Sequence, residues 1–118
     1  MSSGGSYTVF MRPNEDIEVA KAAKALSDPI RLRILTLLRI GREETYESPV
    51  CSAAPSAVCP ADLLHRLGDI SSSKLSYHLK ELKEEGFIRE CREGKRIYYL
   101  PVPERFDRFV QELGRFYG

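Results

Sequence analysis

Three consecutive hydroxyl residues, Ser71, Ser72 and Ser73, open a stretch that continues through Lys74, Ser76, Tyr77 and Lys80. Short hydroxyls approach base edges and phosphate oxygens closely, lysines neutralise phosphate, and a tyrosine ring can stack on sugar or touch a thymine methyl. Shortly downstream, Arg92, Lys95 and Arg96 crowd around Glu93-Gly94, with Arg89 just behind them. Cations on a projecting loop suit phosphate contacts along the backbone or in the minor groove. Each feature alone has a blander reading: a solvated helix face for the serines, edge-strand protection for the cations. Together they favour nucleic acid, because a hydroxyl-tipped helix can enter a major groove while an adjacent cationic hairpin holds the flanking phosphates.

The second chemistry is sulfur. Cys51, Cys59 and Cys91 are an odd number, which argues against a disulfide framework and for free or metal-bound thiols. Cys59 precedes Pro60 at a helix start, where unsatisfied N–H groups and the helix dipole stabilise a thiolate. Thiolates react with soft metals, trivalent arsenic and oxidants. Cys51 lies in a long connection that can fold back on Cys59, and Cys91 is the remaining sulfur of this kind. His65, Asp62 and Glu47 can complete a borderline site for zinc. Structural cysteines, metal or metalloid sensing at Cys51, Cys59 and Cys91, and oxidation of Cys51 with Cys59 all stay open. No nucleophile–base pair, glycine-rich phosphate loop or carboxylate pair stands out, so the chain does not read as an enzyme.

Local signals place these residues on elements. Ser71 is a natural N-cap, Ile70 and Leu75 form a hydrophobic staple, and Leu75, Leu79 and Leu82 recur at helical spacing. Gly86 suits the left-handed residue that ends the helix, after which Phe87 can fold back on Leu82. Two β-prone runs flank Glu93-Gly94, read as the tight turn of a hairpin. Upstream, residues 1–14 read as a flexible arm, and Glu15 to Leu26 as an alanine-rich helix with Ile17, Ala20, Ala23 and Leu26 inward. Asp28-Pro29 starts a helix that runs to Ile40, apolar on most sides and so expected to be the central buried one. Residues 41–58 form a long connection without periodicity. Pro60 opens a short helix to Leu67, with Leu63, Leu64 and Leu67 inward, and Gly68-Asp69 turns the chain into the serine-capped helix.

From about Pro103 a last helix carries Phe106, Phe109, Val110, Leu113, Phe116 and Tyr117, more apolar bulk than so small a core absorbs. That stripe reads partly as a dimer contact with the first helix. The expected architecture is mainly α with a small β-hairpin. It is a winged helix-turn-helix over residues 15–118, dimeric through its first and last helices.

At 118 residues the chain is one small domain. Its 18 basic and 17 acidic residues give a net charge of +1, unusually even for a DNA binder. Glu15, Asp16, Glu43, Glu44 and Glu47 offset a local positive face, so distribution matters more than the sum. The even charge also keeps a rival open, a winged-helix module that binds protein. No apolar run is long enough to span a bilayer and no signal peptide is evident, so a cytoplasmic location without membrane contact is expected.

Leu26-Ser-Asp-Pro-Ile-Arg-Leu-Arg-Ile-Leu35, Ala61-Asp-Leu-Leu64, Lys74-Leu-Ser-Tyr-His-Leu-Lys-Glu-Leu82, Glu85-Gly-Phe-Ile88 and Arg92-Glu-Gly-Lys-Arg-Ile-Tyr-Tyr-Leu100 together resemble the ArsR/SmtB family of winged helix-turn-helix repressors. The likeness covers roughly residues 15–117 apart from the long connection. It implies a homodimer on a double-stranded DNA operator that an inducer releases. It also implies DNA contacts at Ser72, Ser73, Ser76 and Tyr77, and wing contacts at Lys95 and Arg96. His78 matches a position that many members fill with His, and its place beside Leu79 favours packing over ligation. The metal- and metalloid-sensing members carry Cys-x-Cys at the start of the helix before the recognition helix. Here Cys59 takes the first position and Ala61 the second. The implied inducer is As(III), Cd(II) or Zn(II), with a thiol-redox or ligand-independent regulator as the alternative. The family's other metal site, on the last helix, needs histidines that this helix lacks.

Overall fold

The computed structural model describes residues 13–116. Over that span the chain forms α1 (Glu15–Ala25), α2 (Pro29–Ile40), α3 (Pro60–Leu67), α4 (Ser72–Glu84), β1 (Ile88–Glu93), β2 (Arg96–Pro101) and α5 (Pro103–Gly114). The expected caps set the boundaries. Asp28 accepts from the Ile30 amide at 2.7 Å with Pro29 in the first turn, and Ser71 accepts from the Lys74 amide at 3.1 Å. At the far end of α4, Gly86 adopts φ 82°, and the amides of Gly86 and Phe87 return to the carbonyls of Lys83 and Leu82. This paired closure satisfies carbonyls that a helix end leaves free, and it points the chain straight into β1. Phe87, fully buried against Phe106, Phe109 and the Arg105 guanidinium, locks the corner. Burial of such a side chain is worth about 1.5–3 kcal/mol.

α3, its Gly68-containing turn and α4 form the helix-turn-helix, with Leu63, Leu75, Leu79 and Leu82 buried against Ile34, Leu35 and Leu38 of α2. β1 and β2 pair antiparallel from Ile88↔Pro101 to Glu93↔Arg96, leaving Gly94 and Lys95 as the loop. The turn thus sits one residue later than expected. In this register oppositely charged Glu93 and Arg96 face each other, and Gly94, at φ 63°, takes the first loop position, where a positive φ suits glycine. Val58 bridges to Tyr99 on the other side of β2 through two backbone bonds of 3.1 and 2.8 Å.

Two expected faces are corrected. On α1 the buried positions are Glu15, Val19, Ala22 and Ala25, while Ile17, Ala20 and Ala23 are exposed and Leu26 is half-buried. An alanine-rich helix has so little amphipathicity that either stripe fits its sequence. α2 is also less enclosed than its composition suggests: Leu32 and Ile40 are exposed, whereas Arg31 is buried.

The connection from 41 to 58 lacks helix or extended strand but is tied down. The Arg42 amide donates to Ser56 O at 3.0 Å, and its guanidinium donates to the carbonyls of Tyr46 and Ser48. Gly41, at φ 85°, comes so close to Ser56 that a Cβ would lie 3.3 Å from its carbonyl oxygen. Arg66 of α3 pairs with Glu43 at 2.6 Å and stacks on Tyr46, and the Tyr98 hydroxyl of β2 donates to Pro49 O at 2.8 Å.

Candidate nucleic-acid interface and thiol cluster

Helical periodicity divides α4 cleanly. Leu75, His78, Leu79 and Leu82 are buried, and Ser72, Ser73, Lys74, Ser76, Tyr77 and Lys80 are exposed, as is the capping residue Ser71. Tyr77, with 53% of its surface open, is the one large aromatic on this face. Lys80 has only a loose pairing with Glu84 at 3.9 Å, one turn on.

The recognition-type helix is held from behind by a polar contact that sequence reasoning missed. Arg31 Nε donates to His78 Nδ1 at 2.9 Å, and the same guanidinium reaches the carbonyls of Lys24 and Ala25, at the end of α1, at 3.5 and 3.4 Å. It also lies 5.4 Å from the centre of the Tyr77 ring. An arginine donates only, so Nδ1 must be the unprotonated nitrogen and the proton sits on Nε2. Burial pushes the His78 pKa down; the Asp28 carboxylate opposes this, and Arg31 adds to it. The imidazole is therefore neutral at pH 7, which agrees with the expected packing role. One signal was available: an arginine three residues after the Asp28 cap, inside an otherwise apolar turn.

On the hairpin, Arg92, Lys95 and Arg96 are all exposed. They differ in partners. Arg92 approaches Glu90 at 3.7 Å, and Glu90 also takes Lys83 at 2.9 Å, a bond that holds its carboxyl below the usual range. Lys95 and Arg96 meet no carboxylate among the described residues. The tip of the wing therefore carries uncommitted charge, as does Arg89 nearer its base.

The three cysteines pack in one small cluster with Ala57 and Tyr98, and within it their sulfur contacts divide in two. Cys59 forms the N-cap position of α3, where its thiol contacts Ser48 Oγ at 2.8 Å and Asp62 Oδ2 at 3.4 Å. The other Asp62 oxygen accepts from the Glu47 amide at 3.3 Å, and His65 stays exposed. Cys51 instead faces Cys91 across 3.6 Å. The expected Cys51–Cys59 partnership is thus replaced by Cys51–Cys91: Glu47 and Ser48 contact the α3 N-terminus, while the bonds from Tyr98 to Pro49 and from Glu93 to Ser52 turn the next stretch, which carries Cys51, onto the hairpin. Among the described residues no group of three or more His, Cys, Asp or Glu side chains is placed to hold a metal ion. The donor set therefore does not fit the three-ligand thiolate centre expected from Cys51, Cys59 and Cys91.

The family described as "Helix-turn-helix domain" matches residues 26–91, which run from the end of α1 to the wing. The chain is 36% identical over 81 residues to the arsenic resistance transcriptional regulator ArsR1 of Pseudomonas putida, covering 69% of this chain and 52% of that protein. The chain belongs to the ArsR family. Another member, the cadmium resistance transcriptional regulatory protein CadC homolog of Staphylococcus aureus, is 29% identical over 96 residues, covering 81% of this chain and 67% of its own length. This ArsR-family chain thus spans about half of one curated relative and two thirds of the other. Its fold matches the homodimeric winged helix-turn-helix DNA-binding domain of a Mycobacterium bovis protein with a TM-score of 0.61 at 23% identity, over 94% of this chain and 93% of that one. As an ArsR-family member the chain is a DNA-binding transcriptional regulator, and both curated relatives are regulators rather than enzymes. No helix among the described residues is long and apolar enough to cross a membrane.

Proposed function

We propose that this ArsR-family regulator is a homodimeric repressor that binds an inverted-repeat operator and leaves it when an inducer binds. The observation that carries the reading is the shared exposure of the α4 tip and the wing. Ser71, Ser72, Ser73, Lys74, Ser76, Tyr77 and Lys80 offer groove contacts, and Arg92, Lys95 and Arg96 offer phosphate contacts. Ile17 on α1, Val110 and Leu113 on α5 and Phe116 just past its end are exposed apolar residues that a second copy would cover. Such a dimer presents two copies of α4 to adjacent major grooves about 34 Å apart.

The inducer class follows from the cadmium and arsenic resistance named for the relatives: a thiophilic species such as As(III), Cd(II) or Zn(II). The inducer would meet cysteine sulfur on this protein, and among the described residues no three-ligand centre is formed to hold it. Whatever binds the released form better is bound more weakly on DNA by the same factor.

The test is fluorescence anisotropy on an upstream DNA fragment across a salt series, for wild type and for Lys95→Ala with Arg96→Ala. Each lost phosphate contact flattens the log–log salt slope by about 0.9, so four cations in a dimer account for about 3.6. An unaltered slope removes the wing from the DNA. Repeating the titration with arsenite, Cd(II) and Zn(II) identifies the inducer.

A further inference from the structure

Cys51 and Cys91 are 40 residues apart in sequence, and their sulfurs face each other across 3.6 Å. One belongs to the long connection, the other to the first strand of the wing. Bonds that do not involve sulfur hold both backbones there. The Glu93 carboxylate, two residues past Cys91, accepts from the Ser52 amide at 3.0 and 3.1 Å and from the Ser52 hydroxyl. Tyr98, paired with Cys91 in the hairpin register, holds Pro49 O at 2.8 Å, and the Cys51 carbonyl closes a turn with the Ala54 amide at 3.2 Å. The two sulfurs therefore meet at a prepared place and need to approach by only about 1.5 Å to reach the bond length of about 2 Å. Access is graded: Cys91 is half-buried and Cys51 fully buried. Cys59 is engaged elsewhere, with Ser48 and Asp62.

We propose that Cys51 and Cys91 are a thiol-oxidation site that closes to a reversible intramolecular disulfide, tying the long connection to the middle of the wing and weakening operator binding. The oxidant is a peroxide. The Cys91 thiolate attacks one peroxide oxygen, the O–O bond breaks, and the departing hydroxide takes the thiol proton as water, leaving a sulfenic acid. The Cys51 sulfur then attacks the Cys91 sulfur. The S–O bond breaks, and the second hydroxide leaves as water with the Cys51 proton. Two thiols and one hydrogen peroxide thus become one disulfide and two waters, and a dithiol reductant reverses the change. The hydrogen bond to Cys51 holds the Cys91 thiol above the ordinary cysteine range, so the first step is slow at neutral pH and quickens as pH rises. Gly94 and Lys95 follow closely after Cys91, so a shift at Cys91 carries Lys95 and Arg96 with it. This regulatory consequence rests on the reading of the wing as a DNA contact.

The test treats the full chain with hydrogen peroxide, alkylates the remaining thiols, digests without reduction and maps cross-linked peptides by mass spectrometry. The expected product joins the peptides of Cys51 and Cys91, leaves Cys59 alkylated and disappears with dithiothreitol. Operator affinity, read by anisotropy, falls about tenfold on oxidation and recovers on reduction, within the usual span of coupling between sites. Cys91→Ser, checked for folding by circular dichroism, abolishes this response, and Cys59→Ser keeps it. A Cys51–Cys59 bond, an intermolecular bond, or sulfinic acid without a cross-link overturns the site. Unchanged affinity of the cross-linked protein overturns the regulatory consequence. If the reduced protein fails to bind duplex although the cross-link forms, the DNA reading falls with that consequence while the site is upheld.

Discussion

Arg31→Met tests the contact that holds the recognition-type helix from behind. The substitution keeps the volume and apolar stem but removes the guanidinium. It deletes the 2.9 Å bond to His78 Nδ1 and leaves that buried nitrogen without its donor, beside an Nε2 that already has no partner among the described residues. It also deletes the longer bonds to the carbonyls of Lys24 and Ala25 and the contact with the Tyr77 ring. A buried hydrogen bond from a charged group contributes about 1.5–3 kcal/mol, and a half-exposed cation–π contact about 0.5–1. Relief from burying a charge offsets part of this, so the expected net loss is about 2–3 kcal/mol, or roughly 8–12 °C in Tm. The assay is urea and thermal unfolding by circular dichroism at fixed protomer concentration, because dimerisation shifts apparent stability. pH supplies a second readout. The folded His78 resists protonation, whereas the unfolded chain takes a proton below about 6.5, so its contribution is present above that pH and is lost as pH falls toward the lower folded pKa. Removing Arg31 takes away one cause of the depression, so the variant's stability declines less steeply as pH falls below about 6.5. A stability change below about 0.5 kcal/mol, or an unaltered pH profile, refutes the assignment.

Ser76→Glu places a carboxylate on the exposed face of α4, where phosphate and base acceptors repel it. Operator binding is expected to vanish in anisotropy titrations while the circular dichroism spectrum stays unchanged, and undiminished affinity rules this helix out as the reader. Val110→Glu with Leu113→Glu charges the open face of α5. Covering each apolar side chain is worth about 1.5–3 kcal/mol, so self-association weakens at least about a hundredfold. Sedimentation velocity reads this as a shift to monomer, and a persisting dimer moves the interface elsewhere.

Much of the fold was legible locally. The caps at Asp28 and Ser71, the left-handed closure at Gly86, and the Leu75, Leu79 and Leu82 stripe each involve residues within a few positions of one another, so their physics is written in short spacings. The outward serines of α4 follow from the same periodicity, since fixing the buried leucines fixes the opposite face. The faces of α1 and α2 were less legible. An alanine-rich helix and one apolar nearly all round carry little contrast, so only packing partners choose their inward sides. The turn position shifted by one residue because the first loop position takes a positive φ, which suits Gly94 and not Glu93.

By itself the sequence determined the elements, their order, and the hydroxyl and cationic residues that a winged helix-turn-helix turns outward. Only the tertiary structure decided that Arg31 reaches His78, 47 residues away, and that Cys51 meets Cys91 rather than Cys59. Capping and periodicity act within a turn or two of chain. The meeting of distant side chains depends on how the whole backbone closes, and here Glu93 and Tyr98 draw the long connection onto the wing while Arg42 ties the connection to itself.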